Sequence, residues 1–97
     1  MNSRIIVDGK QLKLNRFIVE LTGNILNAIA GSLKYTEGQL IEFRMMPDDL
    51  KMYVDAKEVP LNIGSASQIV RDVLTGLLKN LYGAENAKEV LLICERQ

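Results

Sequence analysis

Histidine and tryptophan are missing from the 97 residues, and cysteine occurs once, as Cys94. Without histidine the chain lacks the commonest general base and metal-binding side chain. A Ser-His-Asp or Cys-His arrangement cannot be assembled within it. One cysteine excludes an intramolecular disulfide and the paired thiolates of a metal-delivery site, and suits a reducing compartment. Cys94 stands between Ile93 and Glu95 in an apolar segment, where burial is the expected fate of its thiol.

Long hydrophobic runs are missing too. Arg4 is followed by only Ile5, Ile6 and Val7 before Asp8, too little for the apolar core of a signal peptide. The least charged stretch, Phe17 to Leu33, holds Glu20, Asn24 and Asn27 and makes a poor membrane span. A cytoplasmic protein with no membrane contact is expected. Neither GxGxxG nor GxxxxGK followed by Ser or Thr occurs, so no nucleotide loop and no cofactor is expected. Nor does charge of one sign prevail: 12 basic and 12 acidic residues cancel, with no like-charged run beyond Asp48-Asp49. That balance opposes a grip on phosphate backbones and any long-range steering of charged partners.

What is present is an apolar fraction of 47% with only two Phe and three Tyr, so the core must be aliphatic. The length fits one domain, 1–97. Ser3 to Val7 reads as a strand, and Asp8-Gly9 suits a tight type I′ hairpin turn. Lys10 to Leu14 alternates as the return strand. Asn15 is a good helix N-cap, and a helix from about Arg16 to Lys34 ends at Tyr35-Thr36-Glu37-Gly38. Leu40 to Met46 and Leu50 to Asp55 alternate as strands around the turn Pro47-Asp48-Asp49. Lys57 to Leu61 is a further short strand, leading into Asn62-Ile63-Gly64. Ser65 with Gln68 has capping-box spacing, so a second helix should start there and run to about Gly83. Glu89 to Glu95 is an apolar strand.

The segments repeat. Val7 to Asn15 recurs as Val54 to Asn62, with five of nine positions identical. With one residue inserted, Asn24 to Leu33 lines up with Asp72 to Leu81. The chain therefore reads as two related halves, about 3–46 and 50–95. Ala56 in the place of Gly9 weighs against the same geometry in the second turn, because alanine resists positive φ. The expected fold class is α+β: a two-layer, ferredoxin-like βαββαβ sandwich, or a duplicated ββαβ unit. Its two helices should lie on one face of a mainly antiparallel sheet.

The second helix carries Ala66, Ile69, Val70, Val73, Leu74, Leu77, Leu78 and Leu81 in one stripe, with Arg71, Asp72, Thr75, Lys79 and Asn80 opposite. The first helix is apolar on two sides. Ile18, Leu21, Ile25, Ala28, Ile29 and Ser32 are expected to face the sheet, which leaves Val19, Leu26, Ala30 and Leu33 as a candidate interface. Gly23, Gly31 and Gly76 inside helices point to close packing. On the open sheet face Ile6, Tyr53, Leu91 and Ile93 form a second candidate interface, among Arg4, Glu42, Arg44, Lys51 and Glu95. The alternative is a solvated face whose long charged side chains lie over the apolar ones.

Paired carboxylates at Asp8 and Asp55, and at Asp48-Asp49, read as turn chemistry; Met45, Met46 and Met52 read as core filling. The leading expectation is a non-catalytic association or regulatory module, a homo-oligomer (dimer favoured) or the binder of a partner protein. The runner-up is an RNA- or DNA-binding module using Arg4, Arg44, Lys51 and Tyr53, set back by the acidic neighbours and the single aromatic. A small enzyme relying on carboxylate and lysine chemistry comes third.

Overall fold

A computed structural model describes residues 2–61 and 64–96. In chain order the elements are β1 (Asn2–Val7), β2 (Lys10–Gln11), α1 (Arg16–Ser32), β3 (Leu40–Met46), β4 (Asp49–Val54), β5 (Lys57–Val59), α2 (Ala66–Leu78) and β6 (Val90–Glu95). One six-stranded sheet runs β2-β1-β6-β3-β4-β5, antiparallel at every join. Alternation along the strands turns Ile5, Val7, Ile41, Phe43, Leu50, Met52, Val90, Leu92 and Cys94 toward the helices. There they form one core with Leu26, Ala30, Val70, Leu74 and Leu78. The chain is an α+β sandwich, as its residue pattern implies.

The strand order departs from the ferredoxin-like expectation. That arrangement centres the first strand of each strand–helix–strand unit, whereas here the closing strands β6 and β3 are central and β1 and β4 lie outside them. The cause is hydrogen-bonding capacity. A strand has two edges, and the hairpins β1–β2 and β4–β5 each consume one. Neither β1 nor β4 can then serve two other long strands. The resulting order is unchanged when β1, β2, α1 and β3 are exchanged for β4, β5, α2 and β6. Both edge strands are short and bear exposed lysines, Lys10 and Lys57, which discourages further strand addition. β5 stops before Pro60, which has no N–H to give.

The two hairpin turns have the same backbone. Asp8 and Gly9 lie at φ 47 and 85, and Asp55 and Ala56 at φ 51 and 69. Ala56 thus adopts the left-handed conformation that its Cβ disfavours, contrary to the sequence expectation. The surrounding bonds impose it: Asp55 N–H donates to Leu40 O at 2.9 Å, as Asp8 N–H does to Glu89 O at 2.9 Å. Ala56→Gly should therefore stabilise the fold by about 0.5–1 kcal/mol, the left-handed penalty less the entropy glycine adds to the unfolded chain. A chemical-denaturation midpoint checks this; an unchanged or lower midpoint would mean that Ala56 bears no strain. Asn62, the counterpart of Asn15, and Ile63 lie outside the described residues.

Asn15 caps α1 as expected, its Oδ1 accepting from Ile18 N–H at 2.9 Å. α1 closes at Ser32. Lys34 turns to φ 71, and the N–H groups of Lys34 and Tyr35 return to Gly31 O and Ala30 O, the usual way of satisfying last-turn carbonyls. At α2 the capping box does not form. Ser65 makes no side-chain cap bond at φ −91, ψ 11, outside the extended conformation a cap needs, and Gln68 donates instead to Asp72 at 2.8 Å. α2 also ends earlier than Gly83. The Asn80 side chain takes the Gly76 carbonyl at 3.0 Å, so Asn80 N–H and Leu81 N–H fall back on Leu77 O and Leu78 O in a tightened turn.

Candidate association surface

The face that α1 turns to the sheet is not the predicted one. Thr22, Gly23, Leu26 and Ala30 are buried beneath it, and its close approach is to β1 and β6. Small residues decide this: Gly23, Thr22 and Ala30 let the helix backbone settle near the strands, which a stripe led by Leu21, Ile25 and Ile29 would hold away. Leu26 and Ala30, proposed as interface, are instead fully buried core. Val19 is half-buried, its carbonyl taking the Ser3 hydroxyl, and Leu33 packs against the core at the rim of the groove described below. These four do not form an outer surface. Cys94 is buried under the same helix, and burial pushes its thiol pKa up.

The open sheet face is covered by its own charges. Arg4 Nη1 meets Glu95 Oε1 at 2.9 Å; Arg44 reaches Glu42 at 3.6 Å and Glu89 at 4.0 Å. Ile93, whose cross-strand neighbours are Arg4 and Glu42, is only 8% exposed. Ile6, Tyr53 and Leu91 are half-buried. Aliphatic stems of arginine and glutamate therefore shield the apolar positions from water. The four residues of the nucleic-acid patch are only partly gathered. Arg44 pairs across strands with Lys51 and lies 5.4 Å over the Tyr53 ring, while Arg4 stands on β1, tied to Glu95. Both arginines thus stand beside carboxylates, and Arg44 covers one face of the Tyr53 ring.

The exposed apolar surface lies on the helices. Ile25, Ala28, Ile29 and Ser32 of α1, with Leu33 at its C-cap, face Ala66, Ile69, Val70 and Val73 of α2 across a groove of about 440 Å³. No charged side chain lines it. Among the described residues the large hydrophobic side chains standing exposed are Phe17 at 67%, Ile69 at 59%, Val73 at 43% and Tyr82 at 96%. All four belong to α1, α2 or the turn just after α2. Gly31 and Gly76, expected to mark close packing, have nothing within 4 Å of where a Cβ would stand. Sequence reasoning assigned Ile69 and Val73 to the core stripe and Ala28 and Ser32 to the sheet. The signal that separates them is the row of small residues at 22, 23 and 30, which marks the side of α1 that needs closeness.

The other concavities are lined by charged or polar side chains. A groove of about 370 Å³ beside Met45, Met46 and Pro47 is also lined by Arg71, Lys79 and Glu85, but the Arg71 guanidinium is committed to Met46 O at 2.9 Å and Asp49 O at 2.6 Å. Asp8 and Asp55 follow strands that run in opposite directions, so they do not make a carboxylate pair, and each holds backbone that is distant in sequence. Asp8 accepts from Lys88 N–H and Glu89 N–H at 3.0 and 2.8 Å, and Asp55 from Gln39 N–H and Leu40 N–H at 2.9 Å each. Among the described residues no group of three or more Cys, Asp or Glu side chains is placed to hold a metal ion. No helix among them is long and apolar enough to cross a membrane. Set beside protein-family models, curated proteins and solved structures, the chain matches none of them.

Proposed function

We propose that this chain is a small non-catalytic association module whose working surface is the helix layer. The observation that supports this reading is a groove free of charge walled by the exposed Ile69 and Val73 of α2 and the apolar residues of α1, with Phe17 and Tyr82 also exposed on α1 and just after α2. Contiguous apolar surface of this kind on a small domain marks a site of contact. The sheet side, covered by its ion pairs, offers no comparable patch. The same reading takes the halves as copies of one ββαβ unit, supported by the matching turns and by the strand order that survives their exchange.

The test combines light scattering with an apolar dye, 1-anilinonaphthalene-8-sulfonate, at concentrations from roughly 1 to 100 μM, a range spanning ordinary protein–protein affinities. The groove is expected either to be filled by association, giving a mass above 10.9 kDa, or to bind dye. Ile69→Lys combined with Val73→Lys should abolish whichever is seen while leaving the subunit folded, since both side chains are exposed within one subunit. Mass and dye response that both ignore the two substitutions would defeat the reading.

A further inference from the structure

We infer that the helix layer is covered by the helix layer of a second copy of this chain, related by a two-fold axis lying along the groove. This inference rests on the association reading above and adds the identity of the partner and the manner of packing.

Self-complementarity carries it. A two-fold contact must match a surface to itself. Here one helix supplies a ridge and the other a furrow: Ile69 and Val73 rise from α2, while Ala28 and Ser32 leave α1 low beside them. The sheet order makes β1 and β4 run in opposite directions, so the helices that follow them are antiparallel. A two-fold along the groove then sets α1 of each copy over α2 of the other and lowers each ridge into the opposing furrow.

Three further observations agree. Gly31 and Gly76 fall on the outward sides of their helices and meet nothing in the single chain. A glycine inside a helix costs about 1 kcal/mol relative to alanine, and a second helix approaching closely gives that cost a purpose. Ile29 and Ile69 both line the groove; with these two set opposite each other, nine residues outward along antiparallel helices place Glu20 against Leu78, next to Lys79, so the two-fold brings opposite charges near each other. A net charge of zero leaves no repulsion between copies.

Light scattering should give twice 10.9 kDa, with the groove closed to the dye. Val73→Lys should weaken the dimer by at least about 100-fold, because a charge would be buried in an apolar contact. Thr75→Lys, on the far side of α2, should leave it intact. Gly31→Ala should raise the melting temperature of the subunit under conditions where it is monomeric, yet loosen the dimer. In a Cys94→Ala background, chains carrying Ala28→Cys mixed with chains carrying Val73→Cys should form an intermolecular disulfide under mild oxidation. A dimer that excludes this cross-link would overturn the packing and leave association standing. A monomer at all concentrations that binds dye through Ile69 and Val73 would overturn the second copy as occupant while the groove remained a contact site. A monomer that binds no dye would remove both.

Discussion

Gly38→Ala should cost the fold about 2–4 kcal/mol, the sum of a backbone strain and a collision. Gly38 lies at φ 109, a conformation hardly open to a residue with a Cβ, and a Cβ there would stand 2.6 Å from Val54 Cγ1 and 3.2 Å from Asp55 Oδ2. Neither neighbour is free to yield. Val54 ends β4 and packs against the core, and the Asp55 carboxylate holds the backbone of the next two residues, Gln39 and Leu40. Urea denaturation of the variant measures the loss. A value below about 1 kcal/mol would show that the entry to β3 shifts easily and that the contact is not constraining.

The second large effect concerns Asp55 and acid. Its carboxylate is held below the ordinary carboxylate range, first by the Leu40 N–H, then by the Gln39 N–H, with a smaller contribution from Arg96. A depressed folded-state pKa means that the stabilisation is complete above the unfolded value, near 3.9, and is lost as pH falls through the folded value. Asp55→Asn keeps a side chain that tolerates positive φ and removes the charge. The variant should be less stable than the parent at neutral pH, and the difference should close as both are titrated to about pH 2. Denaturation midpoints collected across that range decide the matter; a gap that stays constant into strong acid would dissociate the charge from the stability.

Much of the fold could be read in the chain. Period-2 alternation placed β3 and β4, apolar runs placed β1 and β6, Asn15 marked the start of α1, and Asp8-Gly9 marked the first hairpin. The second hairpin was visible in its strand pattern, but its turn geometry was not. Local preference at Ala56 argued for a different turn, and the bonds made to β3 overrode it. Strand order was within reach and still missed: once both hairpins are granted, edge capacity alone rules out β1 and β4 at the centre of the four long strands. The start of α2 just after Ser65 was legible, but its end was hidden because it turns on a particular side-chain choice. Asn80 bonds to Gly76 where it could have continued the helix pattern.

The candidate surface was legible as an excess of apolar residues on the first helix, yet the wrong side was assigned to the sheet. Hydrophobicity alone cannot orient a helix that is apolar on two faces. Size can, since the strands accept Thr22, Gly23 and Ala30 at closer range than Leu21, Ile25 and Ile29. The sheet-face residues Ile6, Tyr53, Leu91 and Ile93 were correctly put on one face. Composition left two outcomes open for that face, a contact surface or a cover of long charged side chains, and the ion pairs of Arg4 and Arg44 with Glu95, Glu42 and Glu89 favour the second.

The turn carboxylates have one more effect. Asp8, in the first half of the sequence, grips the backbone that leads into β6, and Asp55, in the second half, grips the backbone that leads into β3. β6 is itself wedged between β1 and β3, and β3 between β6 and β4. Each half thus clasps the last strand of the other, like hands with laced fingers. Neither half has a finished sheet of its own to retain, so the chain must gain and lose its shape in one step.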